Sequence, residues 1–174
     1  AGKAVAFPIV VVALDWCQCN NDSHDRWREV LAEAAGTTRQ RVFLATVHQH
    51  DAPICDLRAQ QLLDQVGRKG WNCDPQWHEE AVERGAKALQ EALKKPRRVT
   101  HLGLGQAKVD RIASNRRVVT PEGKVHWGRG SSSGDIYGAP EGEIDPWLKT
   151  FSLWEGDKPI VAWSYGKDDA EDIH

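Results

Sequence analysis

Apolar positions follow two kinds of pattern. Ala4 to Leu14 is apolar almost without a break, apart from Pro8, and Val42-Phe43-Leu44-Ala45-Thr46-Val47 is a second, shorter run rich in β-branched residues. Such runs predict buried strands, the first a central strand covered on both faces, with Pro8 at a bulge or where pairing starts. Between them Trp27, Val30, Leu31 and Ala34 recur at helical spacing, and Gly36 closes a helix that begins near Ser23 or Asp25. Strand, helix and strand within about forty residues predict a βαβ unit, its strands parallel and its functional groups gathered at their C-terminal ends.

Further along, Cys55 to Val66 reads as a short amphipathic helix ended by Gly67. Asp74-Pro75 supplies an N-cap and first-turn proline for a long helix to about Leu93. Its predicted buried stripe is Trp77, Ala81, Val82, Ala86, Leu89 and Leu93, with His78 a surface or packing residue in the first turn. Val99 to Val109 alternates as a strand that runs on to Arg117, and a hairpin joins Val118-Val119-Thr120 to Lys124-Val125-His126-Trp127. Arg129 to Pro140 is rich in Gly and Ser and predicts a mobile loop, with preferred proteolysis between Gly128 and Gly142. A last hairpin pairs Lys149–Trp154 with Pro159–Tyr165, and the acidic Lys167–His174 end is expected to fray. The expected fold is α/β: a layered, mixed β-sheet with packed helices, a strand-helix-strand start and C-terminal β-hairpins.

Length and charge narrow the function classes. With 174 residues and 40% hydrophobic content, residues 1–174 are expected to form one α/β domain. The absence of methionine and a start almost inside a strand suggest a fragment or processed segment. A net charge of -2, with clusters only at Lys94-Lys95-Pro96-Arg97-Arg98 and Arg116-Arg117, argues against a nucleic-acid platform. No apolar span is long enough for a transmembrane helix. Cys17, Cys19, Cys55 and Cys73 fit neither a zinc ribbon nor a disulfide scaffold, so buried free thiols are expected. The eight tryptophans suit core packing or a sugar- or lipid-facing cleft.

Candidate chemistry sits where the second strand ends, at His48-Gln49-His50-Asp51-Ala52-Pro53. In an extended chain His48 and His50 project to one side, roughly 6 to 7 Å apart, so a metal or substrate could lie between them. Neutral imidazole at a rigid strand end suits zinc. The plainer alternative makes one histidine a core residue and the other a solvated one. Asp15 closes the first strand at the same edge, as a ligand-binding carboxylate or a turn residue. Gly103-x-Gly105 lacks a third glycine and a following helix, which rejects a phosphate loop.

The order of these elements, with Asp15, the His48-to-Pro53 strand end, the Ala113-Ser114-Asn115-Arg116 run and the closing Gly142-Glu143-Ile144-Asp145-Pro146, resembles the N-terminal catalytic domain of neutral ceramidases, and most closely the shorter bacterial ceramidase-like proteins. The resemblance spans about Val10 to Tyr165. It implies a zinc-dependent amidase that cleaves the N-acyl bond of ceramide, releasing a fatty acid and a sphingoid base, and secretion or a periplasmic location. It implies His48 as a zinc ligand, His50 and Arg116 as catalytic and substrate-holding groups, and Asn115 beside them on the substrate. Gln49, Asp51 and Ala52 stand where the family carries Thr, Ser and Gly. The family's other zinc ligands, a histidine, a glutamate and a tyrosine, have no match here, so the remainder of a parent chain is an expected partner and this segment alone is expected to be inactive.

If His48 and Arg116 share a site, their tips are expected roughly 6 to 9 Å apart across one reacting carbonyl. On its residues alone, Arg116 is as well read as a surface ion-pair partner. A metallo-β-lactamase register is broken by Asp51 directly after His50. The reading from another class is a domain that keeps the fold, has lost its metal and serves a binding or structural role.

Overall fold

A computed structural model describes residues 7–110, 117–127 and 145–166. The chain divides into two compact units, residues 1–96 and 97–174. The expectations for residues 128–142 and for the acidic end lie outside the described residues.

Unit 1 is built on the expected βαβ start. Strand β1 (Val10–Leu14) pairs in parallel with β3 (Val42–Thr46), Val10 opposite Val42 and Leu14 opposite Thr46. Helix α1 (Asn21–Ala35) connects them and packs on both. It closes at Gly36, whose φ of 65° is a left-handed position that glycine takes without a Cβ penalty, and the Thr37 N–H caps the Ala32 carbonyl at 2.9 Å. A second parallel pair, β2 (Gln18–Asn20) with β4 (Ile54–Asp56), sits past the ends of the first and sets Cys19 opposite Cys55. The sequence reading took Cys55 and Asp56 into a helix. They form β4 instead, because Asp56 caps α2 (Leu57–Gln65), accepting from the Ala59 N–H at 2.9 Å.

Only one face of the β1–β3 pair is covered. Val10, Leu14, Val42 and Leu44 are buried, while Val11 and its partner Phe43 are exposed. The expectation of two covered faces for β1 is therefore corrected: a strand apolar on both sides shows what it can bury, and α1 fills one side only.

Helix α3 (Pro75–Leu93) starts as predicted, with the Asp74 carboxylate accepting from the N–H groups of Gln76 and Trp77. It packs against α1, and Arg26 of α1 forks onto the Glu79 carboxylate. The guanidinium holds the Glu79 carboxyl below its usual range, and the carboxylate raises Arg26. Val82 and Ala86 are buried as predicted, yet Trp77 is 36% exposed and Leu93 47%, and His78 is fully buried. The stripe is rotated because His78, not Trp77, points inward, on the row that continues through Val82 and Ala86.

Around Trp16 an aromatic cluster fills the interior. Trp27 meets it edge-on at 5.7 Å between ring centroids, Trp77 stacks at 5.4 Å, and His78 lies edge-on at 5.9 Å. Neither ring nitrogen of His78 has a well-formed hydrogen bond among the described residues. Burial pushes its pKa below the ordinary 6.5, helped by Arg26 and opposed by Glu79 and the Ser23 backbone. The folded state therefore binds fewer protons at this site than the unfolded chain. Its contribution to stability is full above the unfolded pKa, falls as the pH drops below that value, and levels off beneath the folded pKa. Urea midpoints measured from about pH 7 down to about pH 5 are expected to fall, and a His78→Leu variant to fall less over the same range. Equal slopes for the two proteins would show that His78 is not held neutral.

Unit 2 is antiparallel. Strands β5 (His101–Lys108), β8 (Trp147–Glu155) and β9 (Lys158–Tyr165) form one sheet in the order β5-β8-β9. The two hairpins read from sequence are present: β8 with β9, and β6 (Arg117–Val119) with β7 (Val125–Trp127). Gly103 has a sheet role, since a Cβ there would lie 2.6 Å from the Ser152 hydroxyl on β8, which accepts from the Trp154 indole N–H at 2.8 Å. No helix among the described residues is long and apolar enough to cross a membrane.

Candidate functional site

Parallel pairing brings the exits of β1 and β3 to one edge. Past Leu14 the chain runs through Asp15, Trp16 and Cys17, and past Thr46 through Val47 to His50. The Val47 N–H donates to the Leu14 carbonyl at 3.0 Å, so the two exits leave side by side. Farther on, the Pro53 carbonyl accepts from the N–H groups of Cys17 and Gln18, at 3.0 and 3.4 Å, and draws the histidine turn across the exit of β1.

Strand geometry does not place the two histidines. β3 stops at Thr46, and His48 has a φ of 55°. That left-handed conformation is uncommon for a non-glycine residue and is found where surrounding contacts hold it. Here the contact is visible: His48 Nδ1 lies 3.1 Å from the Cys17 carbonyl, which also accepts from the Thr46 hydroxyl at 3.2 Å. A carbonyl can only accept, so the contact is a hydrogen bond in the forms of the ring that carry a proton on Nδ1. The turn brings the His50 ring edge-on to His48 at 4.8 Å between centroids. The two rings thus meet although β3 has already ended and His48 is left-handed, so the extended-strand geometry expected for them does not apply. Both rings are exposed.

Cys17 is the participant that the sequence reading missed. Its thiol is buried and lies 3.9 Å from His48 Nδ1, while its carbonyl orients the ring. The available signal was the parallel βαβ pattern, which places residues just past β1 beside those just past β3. Asp15 is exposed at the same edge. Asn115 and Arg116 lie outside the described residues, so the distance expected between His48 and Arg116 does too.

Zinc asks for neutral imidazole with a free nitrogen, a partner for the other nitrogen, and three protein ligands at a catalytic centre. His48 offers the partner for one ring nitrogen, the Cys17 carbonyl at 3.1 Å from Nδ1. The third condition is not met among the described residues, where no group of three or more His, Cys, Asp or Glu side chains is placed to hold a metal ion. The described residues thus fit part of a zinc site. No family model, curated protein or solved structure gives a significant match to this chain.

Proposed function

We propose that this chain contributes to a zinc-dependent amide hydrolase of the neutral ceramidase type, which cleaves the N-acyl bond of a ceramide-like lipid or another N-acylated small molecule. One observation carries the reading: His48, at the C-terminal edge of a parallel pair, has Nδ1 at 3.1 Å from the Cys17 carbonyl and its ring edge-on to a second imidazole. That is the outer-shell arrangement of a metal-ligating histidine. Zinc, when bound, supplies a Lewis acid for the acyl carbonyl and lowers the pKa of a bound water.

The chain's own residues have narrower tasks. His48 would hold the metal, and Cys17 and Thr46 fix the orientation of its ring and turn. His50, its exposed ring edge-on to His48, would hydrogen-bond the amide or its neighbouring hydroxyl. Asn115 and Arg116, which lie outside the described residues, are the groups that the resemblance assigns to the substrate, Arg116 to the developing oxyanion. The remaining metal ligands come from outside the described residues.

Zinc content after chelation and reloading, measured by mass spectrometry, tests the metal assignment. His48→Ala is expected to lose bound zinc and any release of fatty acid from a fluorescent N-acyl sphingoid base. Arg116→Ala is expected to keep zinc but turn over about 100-fold more slowly. Unchanged zinc in the His48 variant removes the assignment.

A second reading, a non-catalytic domain with a binding or structural role, is favoured by the incomplete ligand group among the described residues. Under it neither zinc uptake nor hydrolysis is observed.

A further inference from the structure

Three of the four cysteines converge away from the histidine turn. Cys19 and Cys55 are register partners on β2 and β4, and Cys73 precedes the N-cap of α3; all three are buried in one apolar cluster. The 66–74 loop is tied back onto β4 and α2 at several points. The Asp56 N–H donates to the Asn72 side chain at 2.9 Å, and the Gln60 side-chain oxygen accepts from the N–H groups of Asn72 and Cys73 at 2.9 and 3.2 Å. These bonds bring Cys73 against Cys55.

We propose that Cys55 and Cys73 are a latent disulfide: free thiols in the structure described, they are placed to close into a cross-link between β4 and the start of α3, with Cys19 left reduced. The choice among the three follows from contact. The Cys55 thiol has the Cys73 thiol as its hydrogen-bond partner, whereas Cys19, held opposite Cys55 by the strand ladder, acts on it only through its charge; closure then needs a small adjustment to meet the narrow distance and torsion requirements of a disulfide. Cys17 is separate, its thiol lying beside His48.

Burial pushes the Cys55 thiol up to about 12, with Cys73 the next cause and Cys19 the last, and it pushes Cys19 up to about 12 as well, with Asp56 and then Cys73 behind it. Such thiols are poor nucleophiles while they remain buried, so exchange requires the 66–74 loop to open. The oxidant is a small-molecule disulfide. The Cys73 thiolate attacks one of its sulfurs and expels one thiol, forming a mixed disulfide. The Cys55 thiolate then displaces the second thiol, so two protein thiols become one disulfide and the reagent leaves as two thiols.

Incubation of the intact chain with oxidised glutathione, in urea below the unfolding midpoint and then without urea, provides the test. Peptide mapping without reduction is expected to show one intrachain link, Cys55 to Cys73, with the loss of two hydrogens and a raised melting temperature that a dithiol reverses. The link is expected to form in Cys19→Ser and to be absent from Cys73→Ser. A link that includes Cys19, or no link in the wild-type chain under these conditions, overturns the proposal. Because mapping of the wild-type chain decides the question, the outcome does not depend on the variants folding.

Discussion

Gly85→Leu is expected to remove most of the stability of residues 1–96, and even Gly85→Ala to lower it. Gly85 is in the middle of α3, where glycine lowers helix stability by about 1 kcal/mol relative to alanine, so an exposed site would gain from either change. This site is not open. A Cβ at Gly85 would lie 2.5 Å from Cζ3 and 3.0 Å from Cη2 of Trp27, and Trp27 is itself buried between Trp16 and α3. Overfilling a packed interior costs about 1 to 3 kcal/mol, occasionally more, which outweighs the gain in helix propensity. We expect urea unfolding to show a loss of about 1 kcal/mol for the alanine variant and about 3 kcal/mol or more for leucine, against the 5 to 15 kcal/mol typical of whole domains. Trp27→Phe withdraws the part of the indole that Gly85 faces. The double variant Trp27→Phe with Gly85→Ala is thus expected to be more stable than the two single losses added together. A stabilised Gly85→Ala would show that the two helices do not meet there.

That contact marks the boundary of what the sequence makes legible. Helix α1, the parallel pairing of β1 with β3 and both C-terminal hairpins could be read because each rests on local periodicity or on a turn that few residues form. Gly85 gave no such signal, since its role depends on a side chain nearly sixty residues earlier in the chain. His78 was placed in the right helix, yet its burial could not be read, because a histidine beside Trp77 gives no local sign of which of the two faces α1. The candidate site divides the same way. A βαβ pattern sufficed to put Asp15 and His48 at one edge, but the left-handed turn at His48 and the carbonyl of Cys17 that orients the ring are contacts between segments about thirty residues apart. A strand reading that ran on through His48 could not contain them.

Gln60 is a second position whose weight is invisible in sequence, and its loss is expected to be nearly as damaging. An exposed glutamine on a short helix would tolerate replacement by almost any helix former. This one is 1% exposed and uses both ends of its amide: the oxygen accepts from the Asn72 and Cys73 N–H groups, and the nitrogen donates to the Asp64 carboxylate at 2.7 Å and to the Arg68 carbonyl at 3.1 Å. With it the loop after α2 is closed from inside. Gln60→Leu keeps the bulk and strands these polar partners, at about 1 to 3 kcal/mol for each buried group left unpaired, so a total loss of about 2 to 4 kcal/mol is expected once some of them reach water. Gln60→Glu separates the two ends of the amide. A carboxylate still accepts from Asn72 and Cys73, but it faces the Asp64 carboxylate and the Arg68 carbonyl where an N–H group used to donate. Its folded-state pKa is therefore raised, and the variant is expected to be destabilised at neutral pH and to recover relative to the wild-type chain as acid protonates the new side chain. Denaturant midpoints of the wild-type, Leu and Glu chains, taken between about pH 7 and about pH 5, check both claims, and hydrogen exchange at Asn72 and Cys73 locates the damage. A Glu variant that stays as stable as the wild-type chain at neutral pH would mean that the Gln60 amide nitrogen contributes nothing, and that only its carbonyl holds the loop.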